Sequence, residues 1–228
     1  MPREYGPIQT RTPIADQLDP IKSGAFQELE DDYYKWRAEN TAEYLQLCQK
    51  LGYIDLETIQ TIIEFGAGGG ASTTALAQLA ELNGGSVIAL EKDRDAIRKL
   101  KKLIAKKQLP TTKVIEGDGI VSLRKMYDRG ETGDLVIASL LGPDFEGFLT
   151  RRLIEPAGNV LNPKGSLLII SDPRTMEAAQ NAFAARGIEH TTMSTGTPPH
   201  YLAASRYLGH SGLIASRSQI QQGLLRGI

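Results

Sequence analysis

The sequence predicts a doubly wound α/β fold: a mostly parallel, seven-stranded sheet with an antiparallel edge and a helical N-terminal extension. Three observations predict it. Between Thr61 and Arg186, short apolar runs rich in β-branched residues alternate with amphipathic stretches at helical spacing. The runs are apolar throughout, as strands buried on both faces of a parallel sheet must be. Beyond Gly187 the alternation stops, and strand-like segments follow one another with no helix between them. Such a tail closes a sheet edge in antiparallel fashion.

The elements follow in order. Residues 1–25 hold several prolines and few large apolar side chains, and read as an irregular arm. Phe26 to Leu51 reads as a helix, with Tyr34, Tyr44, Leu45, Leu47 and Cys48 as candidates for burial and Gly52 as its stop. Residues 1–57 are therefore assigned to an arm and helical extension, and 58–228 to the main domain. Thr61 to Phe65 is the first strand and runs into Gly66-Ala67-Gly68-Gly69-Gly70. Ala75, Leu76, Leu79 and Leu82 then recur at helical spacing until Asn83-Gly84-Gly85. Ser86 to Leu90 is the second strand. Asp93 to Gln108 is an amphipathic helix with Ile97, Leu100, Leu103 and Ile104 facing inward. Strands at Lys113–Glu116, Asp134–Ala138 and Gly165–Ile170 precede helices at Ile120–Tyr127, Phe145–Ala157 and Met176–Arg186. Ile188–Met193, Tyr201–Tyr207 and Leu213–Ser216 are the tail strands, with Gly196-Thr197-Pro198-Pro199 between the first two.

Composition narrows the function. With 228 residues, one α/β domain of ordinary size is expected, and no second full domain. The 26 basic residues nearly balance the 27 acidic ones, so no global field draws in nucleic acid or acidic membranes. Cys48 is the single cysteine and cannot form an intramolecular disulfide. No apolar run reaches the roughly 18 residues of a membrane span. The first residues lack the apolar stretch of a signal peptide. A cytoplasmic protein is expected, its oligomeric state open.

In open α/β sheets, ligands bind beyond the carboxyl ends of the strands, near the point where strand order reverses. The glycine run after the first strand lets the backbone approach a ligand closely. Gly66, Gly68 and Ala71 also satisfy the G-x-G-x-x-A form of the dinucleotide fingerprint. Carboxylates separate the possible ligands. Glu64 lies two residues before Gly66, Glu91 ends the second strand, and Asp118 follows the third in Glu116-Gly117-Asp118-Gly119. A pyrophosphate would be repelled by a carboxylate at its turn. A cationic ligand carrying ribose and adenine gains from all three acids. The ordinary alternative for Glu91 and Asp118 is a solvated strand-end acid or a helix N-cap.

At these residues the chain resembles the class I S-adenosylmethionine-dependent methyltransferase family, which has a Rossmann-like fold. Glu64-Phe65-Gly66-Ala67-Gly68-Gly69-Gly70 matches the family's first motif. Glu91 matches its acid after the second strand, Asp118 its aspartate after the third, and Leu161-Asn162-Pro163-Lys164-Gly165 its lead into the fifth. The resemblance covers roughly residues 58–216. It implies S-adenosylmethionine as cofactor, with S-adenosylhomocysteine as product and no metal. It implies a cofactor set of Glu64, Phe65, Gly66, Ala67, Gly68, Glu91, Lys92, Asp118, Gly119 and Ser139. Within that set, Gly66 and Gly68 would meet the methionine part and Glu64 its ammonium. Glu91 would take the ribose hydroxyls and Asp118 the adenine amine.

The acceptor is less constrained. Ala138-Ser139-Leu140-Leu141-Gly142-Pro143 lacks the Asn-Pro-Pro-aromatic motif of amino-group methyltransferases. It also lacks the metal-anchoring aspartate of catechol-type enzymes at the strand end, although Asp144 follows the turn. A small-molecule acceptor is favoured over RNA or protein. His200 and Tyr201 are the candidate catalytic pair, with Asp144 and Asp172 as others. Tyr33, Tyr34, Trp36 and Arg37 form an aromatic-basic cluster that could line an acceptor pocket, or simply pack a helix on the domain. Arg94, Arg98, Lys99, Lys101, Lys102, Lys106 and Lys107 make the second main-domain helix basic. Interleaved aromatics are missing, so a solvated face is expected rather than an RNA track. A nicotinamide-dependent oxidoreductase and a non-catalytic cofactor-binding protein are the rival readings.

Overall fold

The computed structural model describes residues 32–139, 148–194 and 211–226. Helix α1 (Asp32–Lys50) comes first. Then follow β1 (Thr61–Phe65), α2 (Ala71–Leu82), β2 (Ser86–Glu91), α3 (Arg94–Lys107), β3 (Thr112–Glu116) and α4 (Gly119–Asp128). The second half holds β4 (Gly133–Ser139), α5 (Phe148–Val160), β5 (Leu161–Ser171), α6 (Pro173–Ala184), β6 (Thr191–Ser194), β7 (Ser211–Ser216) and α7 (Arg217–Arg226). The expected helix start at Phe26, the strand at Tyr201–Tyr207 and the Gly196–Pro199 loop lie outside the described residues.

The strands form one seven-stranded sheet in the order β3-β2-β1-β4-β5-β7-β6. Strands β1 to β5 pair in parallel, while β7 runs antiparallel to both β5 and β6. This is the expected Rossmann-like sheet with an antiparallel edge. Strand order reverses between β1 and β4, so their carboxyl ends diverge into a crevice.

Side chains alternate across the sheet and feed two cores. Ile63, Phe65, Val136, Ala138, Leu167 and Ile169 face α4, α5, α6 and α7. Ile62, Leu135, Ile137, Leu168 and Ile170 face α1 and α2. Tyr44, Leu45 and Cys48 of α1 are fully buried in that second core, so α1 packs as part of the sheet's cover. Glu64 lies between Ile62 and the turn, on the same face. That parity brings a carboxylate into the apolar layer beneath α1 and α2.

Two boundaries differ from expectation for local reasons. Strand β5 begins at Leu161, which pairs with Gly133. Residues 162–165 then bulge out before Ser166 takes up pairing with Leu135. The Asp134 carboxylate holds this bulge: Oδ2 accepts from the Gln60 and Thr61 N–H groups at 2.8 Å, and Oδ1 accepts from Asn162 Nδ2. Strand β6 starts at Thr191 because the chain before it caps α6. Ile188 N–H donates to Phe183 C=O at 3.0 Å, and the Ile188 side chain is buried in the core.

Candidate active site

The glycine turn is tied down by backbone. The N–H groups of Gly66 and Ala67 both donate to Leu90 C=O, at 2.9 and 3.1 Å, which locks the turn to the end of β2. Gly66, Gly68 and Gly70 have φ of 73°, 58° and 96°, in the left-handed region that costs an L side chain roughly 1–2 kcal/mol. A Cβ added at Gly68 would meet nothing within 4 Å, so the turn is open there. One at Gly69 would lie 1.9 Å from Tyr34 Oη. Helix α1 therefore lays the phenol of Tyr34 directly on the turn, and only glycine permits that approach.

Glu64 is fully buried. Its Oε1 accepts from Ser72 Oγ, and its Oε2 accepts from Thr73 Oγ1 at 2.6 Å. Both hydroxyls come from the first turn of α2. Burial pushes the Glu64 carboxyl up to about 7; the two hydroxyls and the Arg37 charge pull it down, and Glu91 pushes it up. The Arg37 guanidinium reaches from α1 and donates to Ser139 C=O at 3.0 Å, at the last residue of β4. Glu64, Arg37 and Ser139 thus meet at the switch point between β1 and β4. The Ser139 hydroxyl is itself buried, with no hydrogen-bond partner among the described residues.

Glu91 is wrapped by backbone. Oε2 accepts from Gly68 N–H at 2.7 Å, while Oε1 accepts from Lys92 and Asp93 N–H at 2.8 and 2.9 Å. It joins the glycine turn to the loop after β2. Asp118 is exposed and caps α4, its Oδ1 accepting from Val121 N–H at 3.0 Å. Its neighbour Gly119 sits against the Phe65 ring, where a Cβ would come within 2.5 Å. Phe65 and Ala67 are buried, and Lys92 is exposed. The sheet thus gathers the glycine turn, Glu64, Glu91, Asp118 and Ser139 at the carboxyl ends of β1, β2, β3 and β4.

On the α1 side, Tyr34 covers Gly69, Arg37 bridges to β4, and Trp36 is 6% exposed. Asp172 caps α6 through Thr175, accepting from its N–H at 3.2 Å and its Oγ1 at 2.8 Å. The Tyr33 side chain and Asp144, His200 and Tyr201 lie outside the described residues. Lys99, Lys102 and Lys106 are exposed; on the same helix Arg98 pairs with Asp95, and Lys101 pairs with Glu116.

Sequence reasoning missed Ser72 and Thr73. Their signal was legible: a hydroxyl-rich run, Ser72-Thr73-Thr74, opens the helix that follows a strand-end acid. A buried carboxylate needs such donors.

These residues fit the cofactor that the sequence implies. The turn is open at Gly68, and a Cβ at Gly117 likewise meets nothing within 4 Å. Between those open points stand acceptor-only groups, suited to an ammonium, a ribose and an exocyclic amine.

Comparisons with known proteins point to the same fold and cofactor. A family model described as PRMT5 arginine-N-methyltransferase matches residues 6–148. No curated protein matches the chain. Among solved structures, a methyltransferase of Pyrococcus furiosus is similar at 15% identity, covering 78% of this chain and 82% of that one, with a TM-score of 0.55. The human methyltransferase 10 domain containing protein is similar at 16% identity, with coverages of 78% and 80% and a TM-score of 0.56. Aeropyrum pernix fibrillarin, in complex with natively bound S-adenosyl-L-methionine, is similar at 14% identity, with coverages of 79% and 76% and a TM-score of 0.51. At these identities the structures establish the fold alone.

Proposed function

The chain belongs to the PRMT5 arginine-N-methyltransferase family, and from that premise we propose that it methylates a guanidinium nitrogen of arginine in a protein acceptor. It is an S-adenosylmethionine-dependent methyltransferase, and the finer statement concerns only the acceptor. The observation that carries it is the extent of the match. Residues 6–148 take in α1, the glycine turn, all three strand-end acids and the end of β4. Family membership moves the favoured acceptor from the small molecule of the sequence reading to arginine.

When bound, S-adenosylmethionine supplies a methyl group on a sulfonium, already activated for displacement. The chain's own residues bind and orient. Glu64 faces the ammonium, and the backbone at Gly66 and Gly68 lies along the methionine part. Glu91 accepts from ribose. Three of its roughly four acceptor positions hold the turn and loop in place, which leaves about one for a hydroxyl. Asp118 keeps Oδ2 for the adenine amine while Oδ1 caps α4, with Gly119 beside it. Phe65, Ala67, Lys92 and Ser139 shape the same site. Tyr34 and Arg37 border the site on the α1 side, and Tyr33 and Trp36 are retained from the sequence as candidates for the acceptor wall. His200 and Tyr201 are retained from the sequence as candidates to accept a proton from the acceptor nitrogen, with Asp144 as the next choice. Asp172 follows as a further candidate, each of its oxygens already accepting one hydrogen bond from Thr175.

The test supplies radiolabelled S-adenosylmethionine with an arginine-rich peptide, free arginine and a structured RNA in separate reactions. Methylarginine in the hydrolysed peptide is the expected product. Label confined to RNA or to a small molecule overturns the arginine-in-protein reading. Failure of the chain to bind the cofactor in calorimetry overturns the site assignments themselves.

A further inference from the structure

Arg37 occupies a place that no ordinary packing requirement explains. It sits on α1, 102 residues from Ser139, yet donates to that residue's carbonyl at 3.0 Å. Ser139 is the last residue of β4, and β4 is the strand where the order turns back. In register, Glu64 pairs with Ile137, and Ser139 lies two residues further along on the same face. A guanidinium at Ser139 therefore lies just beyond Glu64, on the side from which the crevice opens. Its positive charge acts on Glu64.

The surroundings of Glu64 make that charge matter. From β1 the side chain is enclosed by α2, which contributes the hydroxyls of Ser72 and Thr73. From β2 the only charge acting on it is Glu91, which opposes its ionisation. From α1 comes Arg37, the only cation among the described residues that favours its ionisation. The flanking strand positions are apolar Ala89 and Ile137. A carboxyl so buried keeps its proton into the neutral range; the two hydroxyls favour its ionised form most, and the Arg37 charge adds to them.

We propose that Arg37 is a positioning residue: it bridges the switch point from α1 to the end of β4 and thereby favours the ionised form of Glu64 that faces the cationic end of the cofactor. The proposal rests on the assignment of Glu64 to the cofactor's ammonium. It makes α1 an electrostatic component of the cofactor site and not only its cover. Arg37 needs no contact with cofactor or acceptor to act in this way.

The test measures S-adenosylhomocysteine affinity by calorimetry from pH 6 to 9 in the full chain and in Arg37→Gln, Arg37→Lys and Glu64→Gln. In the unsubstituted chain, affinity should fall as pH drops below neutral, by up to about tenfold per pH unit once Glu64 is protonated. In Arg37→Gln the midpoint should move up by a pH unit or more. Affinity would then be about tenfold lower at pH 7 and within about threefold of the parent at pH 9. Arg37→Lys should restore most of the profile, and Glu64→Gln should abolish the dependence that Arg37 controls. A loss in Arg37→Gln that is equal at every pH would mark a merely structural role and overturn the proposal. If Arg37→Gln does not fold, the Arg37→Lys and Glu64→Gln profiles decide. A profile in Glu64→Gln that still matches the parent overturns it. Absence of binding by the parent at any pH would instead overturn the cofactor-site reading.

Discussion

Replacing Glu64 by Gln should make the folded chain markedly less sensitive to pH. The amide keeps the shape and both hydroxyl contacts, because its oxygen accepts and its nitrogen donates, while Ser72 and Thr73 can do either. What it removes is a buried charge. The Glu64 carboxyl titrates at about 7 against an ordinary 4.5, with burial the main cause. Because the folded chain holds this proton more tightly than the unfolded chain, the sign is opposite to that of a salt-bridged acid. Below the ordinary carboxyl range both states are protonated and Glu64 has no pH-dependent effect. As pH rises from 4.5 to about 7, the unfolded chain releases its proton first, and folding loses about 1.4 kcal/mol per pH unit. Above 7 the loss levels off at about 3 kcal/mol. Between pH 5.5 and 8 the parent should therefore lose about 2 kcal/mol that Glu64→Gln does not lose. Urea unfolding of the cofactor-free chain at four pH values in that interval measures the difference, read as a change in midpoint at constant m-value. Parallel stability profiles for the two proteins would refute the reasoning. They would mean that water or relaxation around Ser72 and Thr73 solvates the carboxylate, so that its burial carries little cost.

Gly69→Ala should displace Tyr34, whose Oη lies 1.9 Å from the added methyl, lowering stability by about 1–3 kcal/mol in thermal unfolding. Combining it with Tyr34→Ala should recover part of that loss, and an additive double mutant would argue against the contact. Asp118→Ala should remove the α4 cap, at about 1 kcal/mol of stability, and weaken cofactor binding by about 1–3 kcal/mol. Asp118→Asn separates the two effects: it preserves the cap, so calorimetry should show weaker cofactor binding while the unfolding midpoint stays put. Replacing Lys99, Lys102 and Lys106 together by Glu should leave cofactor affinity and peptide methylation unchanged, since their side chains are exposed. Tight, salt-dependent RNA binding lost in that variant would reverse the reading of α3 as a solvated face.

The strand-end residues that gather at the candidate site were legible in the sequence because they follow short-range grammar. A strand of Thr61 to Phe65 must end in its glycine turn, and the turn must open a helix. The acids at Glu91 and Asp118 fall at strand ends whatever the tertiary detail. The α3 stripe of Ile97, Leu100, Leu103 and Ile104 was fixed by its period, and Ile97 and Leu100 are buried as that period requires. The apolar strands likewise fixed a covered parallel sheet, since only burial on both faces suits such runs.

Tertiary structure decided what those residues touch. Spacing cannot tell that Glu64 faces the α1–α2 layer, because pleat parity is set only when β1 is registered against β2 and β4. Nor can it tell that Glu91 spends three acceptor positions on backbone, or that Asp118 caps α4 while standing at the site. The place of α1 was least legible of all. Its aromatic-basic stretch gives the same signal whether it lines a pocket or packs a core. Docking makes Tyr34 a cover for Gly69, Trp36 a buried side chain and Arg37 a bridge to Ser139. The physical reason is range. Local sequence determines backbone preference and burial along one element, whereas Arg37 reaches a carbonyl 102 residues away, and acts on Glu64, only after the sheet has brought β1 and β4 side by side.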